Sequence, residues 1–244
     1  MEFKEVLNRK IDRSKLPIGS RKGSILALDL NEISSIIITG ETGSGKSVMI
    51  NQMLYQLEKN FSTDEVRFIL IDTSGVELNT YDNNDRTILS AFNDLDKSQE
   101  VLFKVLEELE RRQQLILEHS VLSIDGYNEV TNNNVPNLVV VIDDNQSLLN
   151  NDDVSSMIHK ILDKLDVRFN MLFIMATNNV YNDFFDTLKD RPNSIQISFD
   201  QAESDVSSKT AMPFSDDLLT GKFIINKSGD YEEYNNFEVT DNII

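Results

Sequence analysis

Ser35-Ile36-Ile37-Ile38-Thr39-Gly40-Glu41-Thr42-Gly43-Ser44-Gly45-Lys46-Ser47 is the stretch from which the rest of this chain can be read. An apolar, β-branched run of the kind that makes a buried strand enters the pattern G-x-x-x-x-G-K-[ST], and a helical run from Val48 to Leu57 follows it. With glycine at 40, 43 and 45, successive backbone N–H groups can converge on a β-phosphate without an intruding Cβ. A helix starting near Lys46 adds the positive end of its dipole. The Lys46 ammonium would bridge the β- and γ-oxygens, and the Ser47 hydroxyl is a Mg²⁺ ligand type. Gly40, Glu41, Thr42, Gly43, Ser44, Gly45, Lys46, Ser47 and Val48 are therefore expected to hold ATP or GTP with magnesium. An accidental match would be a glycine-rich surface loop, but an accident would not also place a strand before the pattern and a helix behind it.

Outward from that stretch, short β-branched strands are expected at 35–39, 66–72, 138–143, 171–177, 194–199 and 222–226, with helices between them. Such alternation predicts an α/β fold with a mainly parallel sheet and helices on both faces. The clearest helix spans about Lys97–Glu118, with Asp96 as N-cap, Val101, Val105 and Leu109 on one face, and Glu107–Arg111 and Glu108–Arg112 as i, i+4 pairs on a solvated face. Asn-rich stretches at 131–134 and 149–153 read as loops.

The strand at 138–143 runs into Asp143-Asp144. Opposite a phosphate loop, the first acid of such a pair holds magnesium, usually through water, and the second orients and deprotonates the attacking water. Lys46 and Asp144 are thus the expected catalytic residues, and Ser47 and Asp143 the expected metal ligands. Thr177-Asn178 end the next strand and are read either as sensors of the γ-phosphate, with Asn178 at the nucleotide, or as plain turn residues.

Composition narrows the alternatives. The chain has 244 residues and no cysteine, which excludes disulfides and thiolate chemistry, and its two histidines, His119 and His159, are isolated and read as helix-surface residues rather than a metal site. No apolar run approaches a membrane span and the charged start is no signal peptide, which predicts a cytoplasmic protein. The net charge is −18, yet residues 1–22 carry seven Lys or Arg against three acids, leaving about −22 on residues 23–244. Such a surface repels DNA, so any nucleic-acid contact must be local. Residues 1–22 are set apart as a basic N-terminal segment, most simply a linker, with a ring-stabilising arm or a phosphate contact as alternatives. Residues 23–244 form the nucleotide-binding domain.

With these residues in view, the chain resembles the motor domain of the FtsK/SpoIIIE family. The resemblance runs through Leu16-Pro17-Ile18-Gly19, Gly43 to Val48, Glu65 to Asp72, Val76-Glu77-Leu78-Asn79-Thr80-Tyr81, Glu110-Arg111-Arg112, Gly126-Tyr127-Asn128, Val139 to Asp143, Ala176-Thr177 and Phe237 to Asp241. It implies a three-layer RecA-like P-loop NTPase that uses ATP, a ring that is hexameric when active, and double-stranded DNA threaded through the pore. Related type VII secretion ATPases move protein instead. A membrane-anchored leader and a winged-helix DNA reader, common in family translocases, are not seen, which reads as a bare motor core or a piece of a longer protein.

Departures from the family pattern all remove basic or catalytic groups. Asp143-Asp144 stands for Asp-Glu, Ser74 for a lysine, Leu122 near an arginine, Asn178-Asn179-Val180 for Gln-Arg-Pro, and arginines are missing near Gln196 and Ser208. A carboxylate misplaced by roughly 1 Å can cost on the order of a hundredfold in rate, and an absent arginine finger roughly a thousandfold or more. An ATPase of reduced activity is expected; the alternative is a degenerate member, slow or non-hydrolysing, that binds nucleotide or only retains the fold and acts as an assembly or regulatory subunit.

Overall fold

The computed structural model describes residues 1–144, 147–178, 191, 193–199, 221–227 and 230–239. In chain order its helices of more than one turn and its strands are α1 (Phe3–Leu7), β1 (Lys15–Arg21), β2 (Ser24–Asp29), β3 (Ser35–Thr39), α2 (Lys46–Asn60), β4 (Val66–Asp72), β5 (Thr87–Phe92), α3 (Leu95–Glu118), α4 (Ile124–Thr131), β6 (Asn137–Asp144), α5 (Asp152–Lys164), β7 (Met171–Thr177), β8 (Ser194–Ser198), β9 (Lys222–Lys227) and β10 (Asp230–Asn235). All six expected strands are present with ends shifted by a residue or less.

The strands join one sheet in the order β2-β1-β10-β9-β8-β3-β7-β6-β4-β5. From β8 to β5 every pairing is parallel, whereas β9, β10, β1 and β2 extend the sheet antiparallel. Parallel strands are buried on both faces, and here the period of two divides their side chains between two cores. Ile36, Ile38, Val139, Val141 and Ile174 pack with α2 residues Met49, Ile50, Met53 and Leu54. Ile37, Val140, Ile142, Phe173 and Met175 pack with Val101, Val105 and Leu109 of α3 and Val154, Ile158 and Ile161 of α5. The three layers are thus α2, the sheet, and α3 with α5.

Three sequence expectations change. The basic segment is no linker: β1 pairs with β2 from Lys15↔Asp29 to Arg21↔Ser24, so a boundary at 22/23 falls in the turn of a hairpin. Three of its cations form ion pairs with the body, Arg13 with Glu65, Lys15 with Asp29 and Arg21 with Glu232. Helix α3 begins two residues early because Asp94, not Asp96, is the cap, its carboxylate accepting from the Lys97 amide. Nor is the charged face of α3 wholly solvated. Arg112 is 2% exposed, and its guanidinium donates to the Phe169, Asn170 and Pro136 carbonyls and to Glu108. A guanidinium buried this way has its donors matched to backbone carbonyls, tying α3 to the starts of β6 and β7.

The antiparallel extension closes around Gly19. A Cβ there would lie 2.6 Å from Cζ of the buried Phe223 ring and 2.8 Å from the Asn235 carbonyl oxygen. Because a backbone atom is among the obstacles, Gly19→Ala should cost about 1–3 kcal/mol through overpacking. Thermal unfolding is expected to show a melting temperature lower by roughly 3–10 °C at this chain length. An unchanged melting temperature would mean that β1 and β10 are not packed as described.

Candidate functional site

The register of the parallel strands lines up one row of chain ends. Thr39 of β3 lies opposite Thr177 of β7, Thr177 opposite Asp144 of β6, and Asp143 opposite Asp72 of β4. In open α/β sheets ligands bind outside such carboxyl ends. The polar residues that close these apolar strands therefore share one rim.

From Thr39 the chain enters the turn 40–45, where Gly43 (φ 83°) and Gly45 (φ 113°) adopt left-handed conformations that a Cβ would strain. Gly45 is the N-cap of α2, so Lys46, Ser47 and Val48 form its first turn and their amides face the turn. The Lys46 side chain is buried and its ammonium donates to the carbonyls of Gly40 (2.6 Å) and Glu41 (2.8 Å). The Ser44 hydroxyl is buried within the turn without a hydrogen-bond partner among the described residues. Such an orphaned polar atom in a ring of amides fits an anionic oxygen. Asn178 donates from Nδ2 to the Thr42 hydroxyl at 3.0 Å, which brings the expected sensor to the loop. Asn179, Val180 and Ser208, and Thr240 and Asp241 of the family-like C-terminal stretch, lie outside the described residues.

Ser47 and Asp143 meet across the cleft, the hydroxyl donating to Asp143 Oδ2 at 2.8 Å. Burial is the chief cause that pushes the Asp143 carboxyl up to about 6; Asp72 and Glu77 push the same way, against the Ser47 hydrogen bond and Lys46. A hydroxyl beside a carboxylate is the oxygen set that suits Mg²⁺, which prefers one or two protein oxygens plus phosphate and water. Consistent with so sparse a site, the described residues contain no group of three or more His, Asp or Glu able to cage a metal.

Asp144 behaves differently. It is 1% exposed, and Oδ1 accepts from the Ser147 hydroxyl (3.2 Å) and the Leu148 amide (3.1 Å), so it folds onto the loop that follows β6. Burial raises its carboxyl above the usual range, and Oδ2 has no hydrogen-bond partner among the described residues.

One element of the site was not assigned from sequence. Asp72, buried at the end of β4, accepts at Oδ1 from the Ser74 amide and hydroxyl and the Gly75 amide, and at Oδ2 from the amides of Glu77 (2.8 Å) and Leu78 (3.0 Å). It thereby bends 73–78 toward α2, and Ser74 and Glu77 line a cleft of about 240 Å³ together with Thr42, Lys46, Ser47, Asp143, Asp144 and Asn178. An acid followed by Thr73-Ser74-Gly75 is an Asx-turn signal, and it is the clue that the sequence offers.

Comparison with known proteins agrees with this geometry. The FtsK/SpoIIIE family model matches residues 5–197. DNA translocase FtsK of Staphylococcus aureus is 32% identical over 163 residues, covering 61% of this chain and 21% of the relative. DNA translocase SpoIIIE of Bacillus subtilis is 32% identical over 165 residues, with the same shares. The chain thus spans about a fifth of the length of the curated relatives it matches. Among solved structures, ATPases 2 and 3 of EssC from Geobacillus thermodenitrificans superpose with a TM-score of 0.76 at 20% identity, covering 94% of this chain and 46% of that one. The pCW3 conjugation coupling protein TcpA, solved with ATPγS, superposes with a TM-score of 0.69 at 17% identity over 93% of this chain and 67% of that one. At these identities the structures share the fold. No helix among the described residues is long and apolar enough to cross a membrane.

Proposed function

Because this chain belongs to the FtsK/SpoIIIE family, we propose that it binds Mg-ATP at residues 40–48 and couples hydrolysis to the movement of double-stranded DNA as one subunit of a ring, hexameric when active. The observation that carries the proposal is the pairing of Ser47 with Asp143 at the mouth of a turn whose lysine is buried and pinned.

In this proposal the amides of the turn and of the first turn of α2 receive the β- and γ-phosphates, and the Lys46 ammonium neutralises them. Ser47 and Asp143 would hold the magnesium ion, which screens phosphate charge and polarises the phosphoryl group. Asn178 would report whether the terminal phosphate is present, a role supported by its hydrogen bond to the Thr42 hydroxyl. The DNA partner rests on the relatives named DNA translocase, and the negative surface confines it to local contacts, with counterion release limited to the few cations that line a pore.

A second possibility, a subunit that binds nucleotide and turns it over slowly, is favoured by Asp144, which is short and folded onto its own loop. Steady-state ATP hydrolysis with and without linear duplex DNA separates the two. Turnover that duplex DNA stimulates supports the motor; tight Mg-ATP binding with slow or no turnover that duplex DNA does not stimulate supports the second possibility. No Mg-ATP uptake at millimolar concentration in calorimetry overturns both.

A further inference from the structure

A general base has to touch the water it deprotonates, and Asp144, 1% exposed with Oδ1 engaged twice, is poorly placed to do so. Glu77 is an exposed carboxylate that lines the same cleft. We propose that Glu77 accepts the proton of the attacking water when ATP is hydrolysed, an inference that rests on Mg-ATP occupying residues 40–48.

Three observations support this assignment. The backbone of Glu77 is anchored from behind: Asp72 Oδ2 accepts its amide at 2.8 Å, and the next residue, Leu78, is fully buried in the core that α2 shares. The carboxylate therefore hangs on its own side chain from a fixed point, and no hydrogen bond or ion pair engages it among the described residues. Its charge also reaches the site, since it is one of the groups that push the Asp143 carboxyl upward. Asp72 is in this scheme a positioning residue, acting only through the loop it folds.

In the proposed step a water oxygen forms a bond to Pγ while the bond from Pγ to the bridging oxygen breaks, and its electron pair leaves with ADP. The water proton passes to the Glu77 carboxylate, which later returns it to solvent. ADP and inorganic phosphate are the products, and no further reactant is needed.

The test uses the full chain with Mg-ATP, measuring single-turnover hydrolysis, affinity for a fluorescent ATP analogue and melting temperature. Glu77→Gln should lower turnover by about 10²-fold or more with affinity within about threefold of the parent, as for loss of a general base. Glu77→Asp should recover part of that rate, and Val76→Ala, at an exposed neighbour (72%), should change nothing. Glu77→Gln turning over within threefold of the parent, or losing affinity and rate together, would overturn the assignment and leave Mg-ATP binding standing. A parent chain that fails to bind Mg-ATP, or binds it without turnover, removes the premise instead, and the affinity measurement tells these cases apart.

Discussion

Lys46→Ala is expected to weaken Mg-ATP binding by about 10–150-fold, the loss of one charge-assisted hydrogen bond of about 1.5–3 kcal/mol, and to lower turnover by about 10²–10³-fold. Lys46 is only 6% exposed and its ammonium already donates to two carbonyls of the turn, Gly40 and Glu41. Its position is therefore set before a phosphate arrives, and little side-chain entropy remains to be lost on binding. The same preorganisation predicts that Lys46→Arg will not rescue function, because a planar guanidinium fork does not fit a space shaped for a point charge between two carbonyls. Titration calorimetry and single-turnover hydrolysis measure the two effects, with a melting curve to confirm that the variants fold. Affinity of Lys46→Ala within threefold of the parent would place the nucleotide somewhere other than this turn.

Of the parallel half, β3, β4, β6, β7 and β8 were legible as short apolar runs that must be buried on both faces, whereas the edge strand β5, mostly half-buried, was not. β3, β4 and β7 lie at the expected residues. Of the antiparallel extension only β9 was legible from its residues; the others were not, for reasons visible in β1 and β10. β1 contains Pro17 and Gly19, both poor strand formers, and tolerates them at a register shift between those residues, where Gln56 of α2 reaches across to the Pro17 carbonyl. β10 reads Asp-Tyr-Glu-Glu-Tyr-Asn, too acidic to advertise a strand, yet it pairs along its whole length with β9. Arg112 misled in the opposite sense: an i, i+4 partner suggested a surface pair, and only the tertiary fold brings three carbonyls to its guanidinium.

The site divides in the same way. Residues 40–48 and Asp143 could be read because local sequence alone dictates a turn, a helix start and a strand end. What Asp144 does could not be read, since its orientation depends on the hydroxyl of Ser147 and the amide of Leu148, which a spacing rule does not weigh. Glu77 was visible only as part of a family-like stretch. Its entry into the cleft follows from five hydrogen bonds to Asp72, a long-range consequence of one carboxylate buried at the end of β4.

Asp143→Asn should expose a conflict between folding and function. In the wild type, burial and two neighbouring carboxylates hold the Asp143 carboxyl near 6, above its ordinary 3.8, so the ionised form is disfavoured in the folded chain. A folded pKa raised above the unfolded one means that the native state binds the extra proton between about pH 4 and pH 6, and stability falls as pH rises through that window. Above pH 6 the ionised Asp143 is a standing cost, an upper limit of about 3 kcal/mol for a shift of roughly two units, and closer to 1–2 kcal/mol once partial solvent access is allowed for. Asparagine removes the charge, so the nucleotide-free variant should melt about 3–6 °C higher at pH 7.5, and the advantage should vanish near pH 4. With Mg-ATP the advantage should be lost. Loss of a carboxylate that holds magnesium is expected to weaken metal-dependent nucleotide binding about 10–100-fold; at a ligand concentration a hundred times the wild-type dissociation constant the wild type gains about 2.7 kcal/mol against about 0.4–1.4 kcal/mol for the variant, which inverts the order at the 100-fold end and leaves the two about level at the tenfold end. Melting curves at pH 4 and pH 7.5, each with and without Mg-ATP, measure all four states. A variant that melts no higher than wild type at pH 7.5 without nucleotide, or that keeps its advantage at pH 4, would show that the strain at Asp143 is not electrostatic.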